Sequence, residues 1–201
     1  LDNLLSKRKN KIKFNRSIVL NIIKDIKKNG DKALIKYEKK FSKNSKILSK
    51  PIEIKKQIRN LDQKVKKSID LSYKRIFKFH LKQKVKDIYY KDKLQNKLSY
   101  KYIPLNSVGI YVPGGTASYP STVLMNAIPA IIAGVKRIVM VNPRNREKQN
   151  SGVLYAAKKC GIKEIYSIGG AQAVATLAYG TKKILKVNKI VGPGNLYVTT
   201  A

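Results

Sequence analysis

Apolar residues recur at helical spacing through the first eighty positions and then change period. Ile18, Ile22, Ile23 and Ile26 share one face of a stretch from Ser17 to about Lys28, and Asn29-Gly30 supplies a left-handed exit. Asp31 is the expected cap of a second helix with Ala33, Leu34, Tyr37 and Phe41 as its stripe. Ser49-Lys50-Pro51 reads as a cap and an early proline opening a third helix, with Ile54, Ile58, Leu61 and Val65 on one face. A fourth is expected from Ser68 to Gln83, with Ile69, Tyr73, Ile76, Phe77 and His80 in line. His80 is taken as a packing or surface residue rather than a ligand.

Between Lys86 and Pro104 tyrosines alternate with polar residues, as in Ile88-Tyr89-Tyr90 and Leu98-Ser99-Tyr100-Lys101-Tyr102, which predicts a hairpin. From Ser107 onward short β-type runs alternate with helical ones. The strands are placed at Val108–Val112, Arg137–Val141, Glu164–Ile168 and Lys189–Val191, and the helices at Pro120–Ala133, Gln149–Lys159 and Ala171–Tyr179, with a last one near Asn195. Such alternation implies right-handed crossovers and a mostly parallel sheet covered on both faces. The expected class is α/β. A helical N-terminal region ending in the hairpin occupies residues 1–104, and a Rossmann-like domain, truncated at its C-terminal end, occupies residues 105–201.

Charge changes this picture little. The 201 residues carry 44 Lys and Arg against 11 Asp and Glu, a formal charge of +33. That excess would suit a nucleic-acid or anionic-membrane binder. It is spread over both halves, however, and only seven of the basic residues are arginine, the side chain whose rigid fork reads phosphates and base edges. Salt-sensitive, non-specific adsorption is the expectation, with no specific nucleic-acid partner. No run reaches the roughly 18 apolar residues that span a bilayer, and the lysine-rich start lacks the apolar core of a secretory signal. The single Cys160 cannot form an internal disulfide and fits a reducing compartment, so the expected location is cytoplasmic. Cys160 itself is expected to be a small buried residue at a helix end before Gly161. The first residue is Leu1 rather than Met, and a glycine turn falls close to Ala201, so a piece of a longer chain is expected.

In a doubly wound sheet, ligands bind beyond the carboxyl ends of the strands. Three loops there are rich in glycine: Tyr111-Val112-Pro113-Gly114-Gly115, Gly169-Gly170-Ala171-Gln172-Ala173 and Gly192-Pro193-Gly194-Asn195. Glycines let the backbone approach a ligand, and a following helix N-terminus offers free N–H groups to an anion such as a dinucleotide pyrophosphate. None of the three is a G-x-G-x-x-G or G-K-[ST] fingerprint, and tight strand-to-helix turns explain the glycines equally well. Tyr111, Gln172 and Asn195 fall on the same predicted edge, and their hydroxyl and amides suit ribose hydroxyls or a carboxamide. After Lys101 there is no histidine, and Glu147 and Glu164 are the only carboxylates. No general base, metal cluster or paired nucleophile is therefore assigned, and catalytic and metal residues are both set at none.

Val108-Gly109-Ile110-Tyr111-Val112-Pro113-Gly114-Gly115 and Tyr119-Pro120-Ser121-Thr122-Val123-Leu124-Met125-Asn126-Ala127-Ile128-Pro129-Ala130 together resemble the first half of the histidinol dehydrogenase family. Gly169-Gly170-Ala171-Gln172-Ala173, Ala178-Tyr179-Gly180-Thr181 and Val187-Asn188-Lys189-Ile190-Val191-Gly192-Pro193-Gly194-Asn195 continue that pattern in order. Asn29-Gly30-Asp31-Lys32-Ala33-Leu34 and Phe79-His80 fit its helical beginning, so the likeness covers nearly the whole chain. The resemblance implies incomplete Rossmann-like domains in a homodimeric, zinc-dependent enzyme that oxidises L-histidinol through histidinaldehyde to L-histidine with two NAD. It implies that Tyr111, Gln172 and Asn195 contact NAD. It also implies that the catalytic glutamate–histidine pair, the Zn2+ ligands and most substrate contacts lie in motifs beyond Ala201, leaving this chain inactive alone. Two other readings stay open beside it, a decayed non-catalytic binding protein and a basic nucleic-acid-associated protein.

Overall fold

The computed structural model describes residues 16–44, 46–114, 119–144 and 149–201. Gly115 of the first glycine loop and Glu147 lie outside the described residues. Four helices come first: α1 (Arg16–Asn29), α2 (Asp31–Ser42), α3 (Pro51–Arg59) and α4 (Gln63–Leu81). A two-stranded antiparallel hairpin follows, β1 (Ile88–Lys91) with β2 (Lys97–Tyr100), pairing Ile88 with Tyr100. The remainder alternates β3 (Ser107–Tyr111), α5 (Pro120–Ala133), β4 (Arg137–Val141), α6 (Ser151–Lys159), β5 (Glu164–Tyr166), α7 (Gly170–Tyr179), β6 (Lys189–Val191) and α8 (Leu196–Thr200). The protein is thus of the α/β class, with a Rossmann-like parallel sheet following a helical region.

The sheet runs β5-β4-β3-β6, every neighbouring pair parallel. Because successive strands add on one side of β3 and the chain then crosses to the other, the order reverses beside β3. That is the place where such sheets open a ligand crevice. Period-two alternation divides the sheet's residues between two cores. Tyr111, Val139, Val141 and Tyr166 face α1, α2 and α7, with Val19, Ile26, Leu34 and Leu177 packed between. Val108, Ile110, Met140 and Ile165 face the other way, against α5 and α6, with Ile58 of α3 and Ile69 of α4 joining them. The first four helices thus cover both faces of the sheet. No helix among the described residues is long and apolar enough to cross a membrane.

Several boundaries differ from the sequence expectation, each for a local reason. Gly30, at φ 51°, occupies the cap of α2, so Asp31 is its first helical residue and places its charge at the positive end of the helix. Ser49 does not cap α3; Lys50 takes that position, and the Ser49 hydroxyl is buried against Gln149 and Ser167. Asp62 accepts from the amides of Lys64 and Val65, which starts α4 at Gln63 and moves Val65 from the third helix to the fourth. Likewise Asn150, accepting from Gly152 and Val153, starts α6 at Ser151 and leaves Gln149 outside it. The third parallel strand stops at Tyr166 rather than Ile168, because the Ser167 carbonyl accepts from the Asn44 side chain instead of a strand neighbour. Ile69 of the expected α4 stripe is buried, whereas His80 is half-buried with its Nδ1 2.6 Å from Gln83 Oε1.

Candidate functional site

Tyr111, Gln172 and Asn195 border one cleft of about 570 Å³, at the carboxyl edge of the sheet beside the point where strand order reverses. Four strand-to-helix connections form its walls: Pro113 and Gly114 after β3, Pro143 and Arg144 after β4, Gly169 and Gly170 after β5, and Asn195 after β6. Ile22 of α1 and Phe41 of α2 close the apolar side.

Each of the three residues reaches the cleft differently. Tyr111 ends β3 and is buried to 6% exposure among the residues covered by α1, α2 and α7. Its hydroxyl accepts from the Gly170 amide at 3.0 Å, so its own proton is not used in that bond. Burial pushes this phenol above the usual tyrosine range. Gln172 lies in the first turn of α7, is 3% exposed, and donates from Nε2 to Glu38 Oε1 at 2.9 Å. Asn195 is exposed, and its Oδ1 accepts from the Val198 amide at 3.2 Å as the cap of α8. The structure therefore brings the three together while giving each a structural bond as well.

The turn between β5 and α7 is the most tightly specified wall. Gly170 sits at φ +64°, and a Cβ there would lie 2.9 Å from Gln172 Oε1, so glycine meets both the conformation and the space. Polar side chains behind the rim hold the loops in place. Asn142 donates to the Val112 carbonyl at 3.1 Å, and Gln149 donates to the Asn142 carbonyl at 2.9 Å. Ser49 joins Gln149 to Ser167 through contacts of 2.6 and 2.7 Å. These residues are all buried, and the chain of bonds gives partners to the Asn142 Nδ2 group, to both ends of the Gln149 amide and to the Ser49 and Ser167 hydroxyls, which would otherwise be costly to remove from water.

Two residues at the site were not singled out from the sequence. Glu38 is fully buried, receiving the Gly169 amide at 3.0 Å as well as Gln172. Burial raises its carboxyl above the ordinary glutamate range, against the lowering effect of those two donors. One signal was present, since Glu38 follows Leu34 by four and precedes Phe41 by three, which puts it on the face expected to be apolar. Arg144 lines the cleft with 11% of its side chain exposed and pairs with Glu53 at 3.5 Å. No sequence pattern marked it. Among the described residues no three His, Cys, Asp or Glu side chains group to hold a metal.

Comparison with known proteins gives the lineage. The family model described as histidinol dehydrogenase matches residues 5–201. The chain is 68% identical over 201 residues to the histidinol dehydrogenase of Pelagibacter ubique (strain HTCC1062), covering 100% of this chain and 47% of that one. It is 47% identical over 191 residues to the histidinol dehydrogenase of Prochlorococcus marinus subsp. pastoris, covering 92% and 44%. A crystal structure of histidinol dehydrogenase from Elizabethkingia anophelis matches with a TM-score of 0.89 at 39% identity, covering 94% of this chain and 45% of that chain. The chain spans about half the length of these relatives, and it belongs to the histidinol dehydrogenase family.

Proposed function

We propose that this chain forms the NAD-binding half of a histidinol dehydrogenase, and that the whole protein oxidises L-histidinol through histidinaldehyde to L-histidine with two NAD. The observation that carries the reading is the convergence of Tyr111, Gln172 and Asn195, from the ends of three different strands, on one cleft. The residues present fit a dinucleotide. The cleft offers a phenolic proton, an amide carbonyl and a second amide, which suit ribose hydroxyls and a carboxamide. The first turn of α7 offers main-chain N–H groups and a positive dipole end, which suit a pyrophosphate. Arg144 adds a cation to the same rim. NAD, when bound, supplies the hydride acceptor. The chain's own residues bind and orient it, and Ile22 and Phe41 give one side of the cleft an apolar lining.

The residues here do not fit zinc. The sequence has one histidine and one cysteine, and the described residues form no metal-ligating group. In this reading the Zn2+ ligands, the proton-handling pair and most of the histidinol contacts come from the half that the relatives have and these 201 residues do not. A homodimer of the whole protein belongs to the same reading through the family resemblance, and a cytoplasmic location through the single cysteine.

The test is NADH absorbance with histidinol, NAD and zinc. The 201-residue chain alone is expected to show no turnover, and the chain joined to the second half of the Pelagibacter ubique relative is expected to show it. Sustained turnover by the chain alone, or none by the joined protein, overturns the proposal.

A further inference from the structure

Directly behind the cleft stands Glu38, the one charged side chain among the described residues that is fully buried. Its Oε1 receives two donors, Gln172 Nε2 at 2.9 Å and the Gly169 amide at 3.0 Å. Both belong to the turn that walls the cleft. No cation pairs with it among the ion pairs of the described residues. An apolar side chain of this size would pack here without the cost of burying a carboxyl, so what the carboxyl holds in place is the informative part.

Two N–H groups on one oxygen make that oxygen an acceptor, whether the carboxyl is ionised or carries a proton on Oε2. Donation from Nε2 to that oxygen sets how the Gln172 amide is turned. Its NH2 faces Glu38, and its carbonyl oxygen lies against Gly170, where an added Cβ would come within 2.9 Å of it. Gly170 and Gln172 both line the cleft.

We propose that Glu38 is a positioning residue of the cofactor cleft: it holds the Gln172 amide so that the carbonyl rather than the NH2 group is offered to the ligand, selecting a hydrogen-bond donor such as a ribose hydroxyl or a carboxamide N–H. The proposal rests on the reading of this cleft as the NAD site.

Ligand-observed NMR of the 201-residue chain with NAD at millimolar concentration tests it, alongside the Gln172 side-chain amide signals. Glu38→Gln keeps an acceptor oxygen and is expected to bind NAD within about twofold of the native chain. Glu38→Met removes the acceptor and is expected to weaken binding roughly three- to tenfold, the effect of one ordinary hydrogen bond. Glu38→Met is also expected to speed solvent exchange of the Gln172 NH2 protons. If Glu38→Met does not fold, the native chain still decides: its Gln172 NH2 protons must exchange far more slowly than those of the exposed glutamines, and equal rates overturn the proposal. Loss of binding in Gln172→Met with none in Glu38→Met overturns the role of Glu38 and leaves the cleft reading standing. No NAD signal from either the native chain or the chain joined to the second half of the Pelagibacter ubique relative overturns the cleft reading, and the role of Glu38 with it.

Discussion

The phenol of Tyr111 and the main-chain amide of Gly170 lie 3.0 Å apart, which ties the end of β3 to the start of α7 across the cleft. The bond satisfies one of the N–H groups that a helix start leaves without an internal partner. Tyr111→Phe keeps the buried ring and removes that acceptor. It is expected to cost about 0.5–1.5 kcal/mol in urea unfolding, with weaker NAD binding because the phenolic proton is gone as well. Unchanged stability would mean that the Gly170 amide finds another acceptor and that this cross-cleft tie is dispensable.

Gly192 directly follows β6, one residue past the register pair Ile110–Val191 that ends its pairing with β3. Its φ is +131°, and a Cβ there would fall 2.1 Å from the Tyr111 carbonyl oxygen, a main-chain atom held in the sheet. Strain and overlap act together, so Gly192→Ala is expected to lose about 2–4 kcal/mol. Thermal unfolding measures it. A midpoint equal to that of the unaltered chain would show that the strand separation is wrong.

Acid and neutral pH are expected to act through different carboxyls. The guanidinium of Arg137 holds Glu164 below the ordinary glutamate range through contacts of 2.8 Å at both oxygens. An acid whose folded pKa is lowered stabilises the fold above its unfolded value, and that contribution is lost as pH falls through the folded one. Asp25, held down to about 2 by the side chain of Asn29 and then by Lys36, adds to the same acid limb. Glu38 has the opposite sign. Burial raises it, so stability falls as pH rises from the ordinary carboxyl value through the raised one. Denaturant midpoints from about pH 3 to about pH 7 should therefore show a shallower acid limb in Glu164→Gln. In Glu38→Gln the decline above the ordinary carboxyl range should flatten. The reverse assignment of the two effects would contradict the placement of these side chains.

Much of this architecture was legible because it rests on period and punctuation. The alternation from Val108 to Val191 fixed the parallel strands within two residues at each end, and the glycine loops marked the edge where the cleft lies. What escaped was set by partners distant in sequence. Ser49 reads as a cap until Gln149 and Ser167, 100 and 118 residues away, claim its hydroxyl. Glu38 reads as one more charged residue on a lysine-rich helix until Gly169 and Gln172 close over it, 131 and 134 residues later. Side-chain bonds of that range leave no local pattern. A carboxylate in register with the apolar stripe, four residues after Leu34 and three before Phe41, was the only trace of the second, and the role proposed for the three cleft residues came from family likeness joined to loop position.

Asn195 separates capping from ligand binding within a single side chain. Its Oδ1 accepts from the Val198 amide at 3.2 Å, while its Nδ2 group has no part in that cap. Asn195→Asp keeps an acceptor for the cap and places a negative charge where a helix start favours one, so stability is expected to hold. The donor is lost, however, and the new charge faces a cleft proposed to take a pyrophosphate. Asn195→Ala loses both functions, with an expected cost of about 1 kcal/mol from the missing cap. In the chain joined to the second half of the Pelagibacter ubique relative, both variants are expected to raise the Michaelis constant for NAD far more than that for histidinol. Asn195→Asp should do so without any drop in the unfolding midpoint. Were Asn195→Asp to bind NAD normally while Asn195→Ala bound it weakly, the cap alone would explain the effect, and Asn195 would be a residue of the turn rather than of the cofactor site.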